Sequence, residues 1–210
     1  MSERSVVYLK DRQAGELVEA TLIDGVSRDE VERAEAVWKP FLDQQLERMR
    51  AAGIPKNQWP QHRHWDWRQK QEATEQYLAY RMFGIECASD MQGLMLATTV
   101  GKRARIDSQR GKPLIYVHFL AAAPWNLGSV VGEPRYSSVG GILLATAIQL
   151  SLEEEFQGRV GLHSLPQADS WYRDKCGMTD LGPDPSAQNL RYFEITPQQA
   201  AEFLKERVSR

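Results

Sequence analysis

Apolar positions along this chain follow two periods, and the switches between them mark its elements. Residues 5–10 and 16–23 suit strands, and Ser27-Arg-Asp-Glu30 reads as a helix-opening capping box. Val31, Ala34, Trp38, Phe41, Leu42, Leu46 and Met49 then give one apolar helix stripe, which Gly53 can end. Pro40 lies inside the stripe, removing an N–H and crowding the turn before it, so two consecutive helices or one kinked helix is expected. Residues 54–76 are polar apart from Trp59, Trp65 and Trp67. The stretches 77–87 and 93–100 read as strands joined by Ala88-Ser-Asp-Met-Gln92, and Leu114-Ile-Tyr-Val-His-Phe-Leu120 as a further strand. Val139, Ile142, Leu143, Ile148, Leu152 and Phe156 return to helical spacing before the strand-like 159–164. Leu181-Gly-Pro-Asp-Pro185 reads as a turn, 190–195 as a last strand, and Thr196-Pro-Gln-Gln199 as the cap of a final helix.

Composition narrows the setting. At 210 residues the expectation is one domain with an ordinary core. Lys and Arg total 26 against 28 acids, so no global basic field recruits nucleic acid. Cys87 and Cys176 make no disulfide framework, and no apolar run approaches the ~20 residues of a membrane span. Met-Ser-Glu-Arg at the start lacks the apolar core of a signal peptide. Together these point to a cytoplasmic setting, with no membrane partner.

Arg135-Tyr-Ser-Ser-Val-Gly-Gly141 stands between an apolar strand and an apolar helix. A glycine-bearing turn that opens a helix presents unpaired N–H groups at the positive end of the helix dipole, a ready site for phosphate. Downstream stands Ala168-Asp-Ser-Trp-Tyr-Arg-Asp-Lys-Cys-Gly-Met178. In this order the parts resemble the GNAT superfamily of acyl-CoA N-acyltransferases, over roughly residues 77–195. That family has an Arg/Gln-x-x-Gly-x-Gly/Ala turn, then a helix, a strand and an Ala-x-x-x-Tyr helix ending in Gly-Phe. Arg135 and Gly140 fit the turn, with Ser138 in place of its first Gly. Ala168 and Tyr172 fit the later motif, with Gly177-Met178 after one extra residue. Leu165 stands where the family often has Asn, and the connection from Pro124 to Arg135 is longer than usual.

The resemblance implies an α/β (α+β) fold with a mixed, mostly antiparallel sheet flanked by helices, acetyl-CoA or another acyl-CoA as cosubstrate, and a small-molecule or peptide amine as acceptor. Region 27–76 would lie on the acceptor side, 77–195 would form the acyl-CoA core, and 196–210 the last helix. Arg135, Ser138, Val139, Gly140 and Gly141 would hold the pyrophosphate. A strand bulge around Ala121, Ala122 and Ala123 would polarise the thioester carbonyl. Tyr172 would protonate the leaving thiolate, since a phenol of pKa ~10 keeps its proton at neutral pH. His118 shares a strand face with Ala122 and would take the amine proton. Each role has a plainer counterpart: a turn that only links strand to helix, a buried Tyr172, a core His118. Glu86 and Glu194 are weaker candidates for the base.

Trp65, Trp67, Trp125 and Asn126 could line the acceptor cleft as a lid, or simply pack long connections onto the core. His62-Arg-His64-Trp-Asp66 alternates potential ligands, but no fourth with recognised spacing follows, so no metal is expected. Lys102, Arg103, Arg105, Arg110 and Lys112 read as a solvated hairpin, and Glu153–Glu155 as an exposed helix face. Two other functions stay open: a tRNA-acetylating toxin, and a non-catalytic acyl-CoA-binding or protein-interaction module. A homodimer is compatible with the apolar strands and the last helix.

Overall fold

The computed structural model describes residues 2–208. Met1 of the opening tetrapeptide and positions 209–210 of the expected C-terminal helix lie outside the described residues. The chain divides into two compact units, Met1–Met95 with Leu120–Leu143 and Leu96–Phe119 with Leu144–Arg210. Both are α/β, with strands mostly antiparallel.

In the first unit β1 (Glu3–Asp11) pairs antiparallel with β2 (Leu17–Asp24). Helix α1 (Arg28–Ala51) opens as the capping box foresaw, Ser27 Oγ accepting from Glu30 N–H while the Glu30 carboxylate accepts from Ser27 N–H. It closes on Gly53 at φ +72°, where Ile54 N–H donates to Met49 O and Gly53 N–H to Arg50 O. That double bond to the last carbonyls is a Schellman motif. Pro40 neither splits nor ends α1, which runs as a single helix through it. The polar segment after it contains a short α2 (Trp67–Glu72), capped by Asp66, whose carboxylate accepts from the N–H of Arg68 and Gln69. Strands β3 (Tyr80–Cys87) and β4 (Asp90–Thr98) meet in a two-residue turn. Ala88 and Ser89 sit there at φ +52° and +68°, the backbone of a type I′ hairpin. The expected five-residue connection is thus shorter, because residues without the usual Asn-Gly signature adopt the tight turn.

β5 (Ile115–Ala122) runs from the second unit into the first, followed by α3 (Gly128–Val131), β6 (Tyr136–Ser137) and α4 (Val139–Glu153). The strand order in the first unit is β6-β1-β2-β3-β4.

In the second unit the order is β5-β7-β9-β8, with β7 (Val160–Ser164) parallel to β5 and antiparallel to β9 (Leu190–Ile195). β8 (Thr179–Asp184) pairs antiparallel with β9. The period of two divides these strands into unlike faces. Ile115, Val117, Val160, Leu162, Phe193 and Ile195 fill the apolar face, all at most 3% exposed. Tyr116, His118, Gly161, His163, Tyr192 and Glu194 share the other, polar face. Helix α5 (Pro197–Val208) opens with a second capping box, between Thr196 and Gln199.

Two expectations change here. Leu181–Pro185 is no turn: it belongs to β8, where Gly182 at φ +86° and Pro183 form a bulge, and Asp180 Oδ1 accepts from Gly182 N–H at 2.9 Å. One glycine and one proline perturb the ladder without ending the strand. The reversal comes later, over a 3₁₀ turn (Pro185–Ala187) and left-handed Gln188 and Asn189. The helix expected around Ala168–Tyr172 is a 3₁₀ turn (Pro166–Ala168) leading to one π-helical turn (Trp171–Lys175), closed by Cys176 N–H on Trp171 O at 3.1 Å. A π-turn accommodates one more residue than an α-turn. It therefore absorbs the extra residue noted before Gly177.

Candidate functional site

The Arg135–Gly141 turn lies wholly in the first unit and is anchored from both ends. Arg12 N–H donates to Arg135 O, and Arg135 N–H to Trp125 O. Tyr136 N–H donates to Asn126 Oδ1 at 2.9 Å. Ser138 then takes φ +77°, a left-handed conformation that a side chain disfavours. This explains chemically why glycine suits that position. Helix α4 follows at once, Ile142 N–H donating to Ser138 O, so Val139, Gly140 and Gly141 have no preceding-turn carbonyl for their N–H groups. The first turn of α4 carries no acid, whereas that of α1 carries Asp29 and Glu30. The positive end of α1 is thus answered from within the chain, and the first turn of α4 has no such acid. Arg135 and Ser138 are exposed beside it.

Close packing holds this helix end. A Cβ on Gly93 of β4 would come within 2.5 Å of Val139 Cγ1, so the start of α4 approaches the strand as only glycine allows. The adjacent Gln92, 0% exposed, ties the loop before the turn. Its Oε1 accepts from Trp125 Nε1–H at 2.8 Å and Asn126 Nδ2–H at 3.0 Å. Its Nε2 donates to the Cys87 and Asp90 carbonyls, and its own carbonyl accepts from Ala123 N–H. The polar atoms of Trp125 and Asn126 are therefore engaged in fixing the loop. Trp125 also meets Phe41 edge-on at 5.5 Å. Ala121, Ala122 and Ala123 close β5 nearby in the chain, with Ala121 and Ala123 buried. Trp67 is core, at 3% exposure, with its N–H on Glu35. Trp65 is half-buried, edge-on to Trp67, with Lys70 over its ring. Asp66 is spent on capping α2 and pairing with Lys39 and Arg68. Burial holds His62 neutral, its pKa lowered to about 4.

Tyr172 and His118 lie in the second unit. Tyr172, 7% exposed, sits on the π-turn against Trp171 and Phe193, and burial pushes its phenol well above the ordinary value. His118 is half-buried on β5, edge-on to Tyr116 at 4.7 Å. Burial, and then Lys102, lower its pKa to about 4, so its ring is neutral at pH 7. Of the weaker candidates, Glu194 is fully buried and accepts from Arg105 N–H, Ile106 N–H and Gln109 Nε2–H. It ties the basic connection to β9. Glu86 borders a cavity of ≈ 250 Å³ with Glu30, Arg33, Trp38 and Asp90, in the first unit.

No protein-family model matches the chain, and no curated protein sequence matches it. Solved structures do. A RimJ from Mycobacterium smegmatis in complex with CoA-disulfide superposes with a TM-score of 0.51 at 15% identity, over 97% of this chain and 94% of that one. The GNAT domain of S. lividans PAT gives 0.51 at 12% identity, over 91% and 96%. The chain has the GNAT fold.

On that fold the second unit carries a group that the sequence reading missed. Tyr116 Oη lies 2.6 Å from His163 Nδ1, and His163 Nε2 lies 3.0 Å from Asp184 Oδ2. Arg105 reaches the same Asp184 oxygen at 2.6 Å, and Ser186 donates twice to the other. Hydrogen bonds from Ser186, Arg105 and His163 hold Asp184 well below the usual carboxylate range. Arg105, expected as one of a solvated basic run, is thus half of an ion pair and lies over the Tyr192 ring at 4.2 Å. The available sequence signal was alternation: Tyr116 and His118, and Tyr192 and Glu194, each fall two apart on a strand. Among the described residues no cluster of His, Cys, Asp or Glu suits a metal, and no helix is long and apolar enough to cross a membrane.

Proposed function

We propose that this chain is an acyl-CoA-dependent N-acyltransferase that moves an acyl group, acetyl in the first instance, from thioester sulfur to a primary amine by direct attack. One observation carries the reading: α4 begins in a backbone-anchored turn with Gly140 and Gly141 at its first positions, no acid in its first turn, and Arg135 exposed alongside. That donor set fits a pyrophosphate, which wants backbone N–H groups, a dipole end and a guanidinium. When bound, the acyl-CoA supplies the electrophilic carbonyl and the thiolate leaving group.

The chain's own residues then have separable tasks. Val139, Gly140 and Gly141 present N–H donors, and Ser138 adds a hydroxyl. Ala123 N–H is committed to Gln92 O; a strand-bulge amide around Ala121 and Ala122 would polarise the carbonyl. Tyr172, holding its proton firmly, would donate it to the sulfur as the C–S bond breaks. His118 is neutral and can accept from the ammonium, though a ring of pKa about 4 is a weak base. The lid role of Trp65, Trp67, Trp125 and Asn126 belongs to the same reading; of the three rings Trp65 and Trp125 are half-buried, whereas Trp67 is core.

Turnover of acetyl-CoA over a panel of primary amines and N-terminal peptides tests this. Tyr172→Phe should lower kcat by about 100-fold or more while leaving the acetyl-CoA KM nearly unchanged. Equal turnover would remove Tyr172 from the chemistry.

A further inference from the structure

An outer strand carries a row of unpaired N–H and C=O groups that another strand can join, and folded proteins usually blunt it. In the second unit the outer strand β8 is blunted: a bulge interrupts its register, Pro183 has no N–H to offer, and Arg173 and Arg191 both reach its Asp180. In the first unit β1 has none of these devices. Its register with β2 runs from Glu3 to Lys10 without a shift. Ser5-Val-Val-Tyr-Leu9 is uncharged, free of proline and rich in strand-forming residues. Among the described residues β6 pairs with β1 only at Lys10 and Asp11, so the outer edge of residues 3–9 is open.

The direction of each backbone group on that edge follows from its neighbours. Asp11 N–H donates to Glu16 O on the β2 side, and Arg12 N–H to Arg135 O on the β6 side. Successive residues of an antiparallel strand turn N–H and C=O to opposite edges, so Arg4, Val6 and Tyr8 turn both groups outward. Their face also bears the exposed apolar side chains. Val6 is 59% and Tyr8 57% exposed, and Leu17, 61% exposed, lies one strand in, opposite Lys10. The open stretch is centred on Val6 and is complementary to itself when run antiparallel. Val6 then faces its own counterpart, Arg4 faces Tyr8 and Glu3 faces Leu9, with no like charges opposed. Arg4 is held in place by Glu30 of α1 and can lie over the facing Tyr8 ring. Centring the pairing on Val7 would oppose Arg4 to Lys10 and Glu3 to Asp11, and would run into β6.

We propose that residues 3–9 of β1 pair antiparallel about Val6 with the same residues of a second copy, joining two chains edge to edge in a two-fold dimer. Such a contact uses the open edge of both copies at once, so assembly stops at two. The same strand anchors the Arg135–Gly141 turn, through β6 at Lys10 and Asp11 and through Arg12 N–H on Arg135 O. The dimer therefore braces the strand from which that turn hangs. The proposal invokes no cofactor and no acceptor, and stands apart from the acyl-transfer reading.

Sedimentation equilibrium of the full chain, from low micromolar to submillimolar concentration, tests this, with circular dichroism to check folding. The wild type should reach twice the mass of one chain. Val6→Pro removes only an outward N–H and leaves the β1–β2 bonds in place, so self-association should weaken about 100-fold or more in a folded chain. Val6→Lys sets two ammonium groups directly opposite each other, should weaken it as much, and decides the matter if the proline variant fails to fold. Val6→Cys should form an intermolecular disulfide on mild oxidation, since facing residues of the ladder stand ~5.5 Å apart and the native Cys87 and Cys176 are buried. A wild-type monomer at every concentration would overturn the proposal, including a monomer that captures an extended peptide of another protein on this edge. So would a dimer that Val6→Lys and Val6→Pro leave intact, or one that Val6→Cys does not cross-link.

Discussion

The Arg135–Gly141 turn and the polar face around His163 are built on opposite principles. The turn is made of consecutive residues and offers backbone groups: the N–H donors of Val139, Gly140 and Gly141 exist whatever the side chains, so long as the helix starts there. The polar face is made of side chains from separate elements, Arg105 from a connection, Tyr116 from β5, His163 from β7, Asp184 from β8, Tyr192 and Glu194 from β9. A backbone site tolerates substitution, as Ser138 at a glycine-favouring φ shows. A side-chain site does not, because each member's partner is left buried when it goes.

Glu194→Ala tests that contrast most severely. It strands two backbone N–H groups and the Gln109 amide, at roughly 1 kcal/mol or more each, so urea unfolding should show a loss of about 3 kcal/mol. A loss well under 1 kcal/mol would mean that water replaces the carboxylate and that the face is less closed than described. Acid should act next. An unfolded histidine titrates near pH ~6.5, whereas folded His118 titrates about 4. Between those values the unfolded chain binds a proton that the folded chain refuses, so stability is full above 6.5 and falls as pH drops. By pH 5 the His118 share is up to about 2 kcal/mol, read as the difference between wild type and His118→Gln. His62 shifts the same way and cancels in that difference. No difference between the two proteins at pH 5 would contradict a buried neutral His118. The smallest effect belongs to the turn: Ser138→Gly should raise stability by up to about 1 kcal/mol by relieving the left-handed backbone. A destabilised variant would show that the serine side chain supports the turn.

Legibility in the sequence follows the same division. The two capping boxes, the Gly53 stop and the glycine turn were readable because each is a local rule among neighbouring residues, and each formed as expected. Local signals also misled where tertiary structure outweighed them. Gly182-Pro183 sits within β8, and Ala88-Ser89 makes a tight turn without the residues that announce one. The Asp66 cap was hidden inside what read as possible metal ligands. The Tyr116–His163–Asp184 series could not be read at all, since its members are 47 and 21 residues apart and meet only through strand register. Alternation placed Tyr116 and His118 on one face, but which strand would face them is a property of the fold.

The central claim is that the α4 turn binds acyl-CoA, and calorimetric titration of the purified chain with acetyl-CoA, beside Gly140→Glu, addresses it most directly. A carboxylate at that position would meet the phosphates at the helix end, so the account predicts saturable binding by the wild type, weakened at least 100-fold in the variant, with the fold of both intact by circular dichroism. Equal affinity in the two proteins, or no heat from the wild type at millimolar acetyl-CoA, would contradict it.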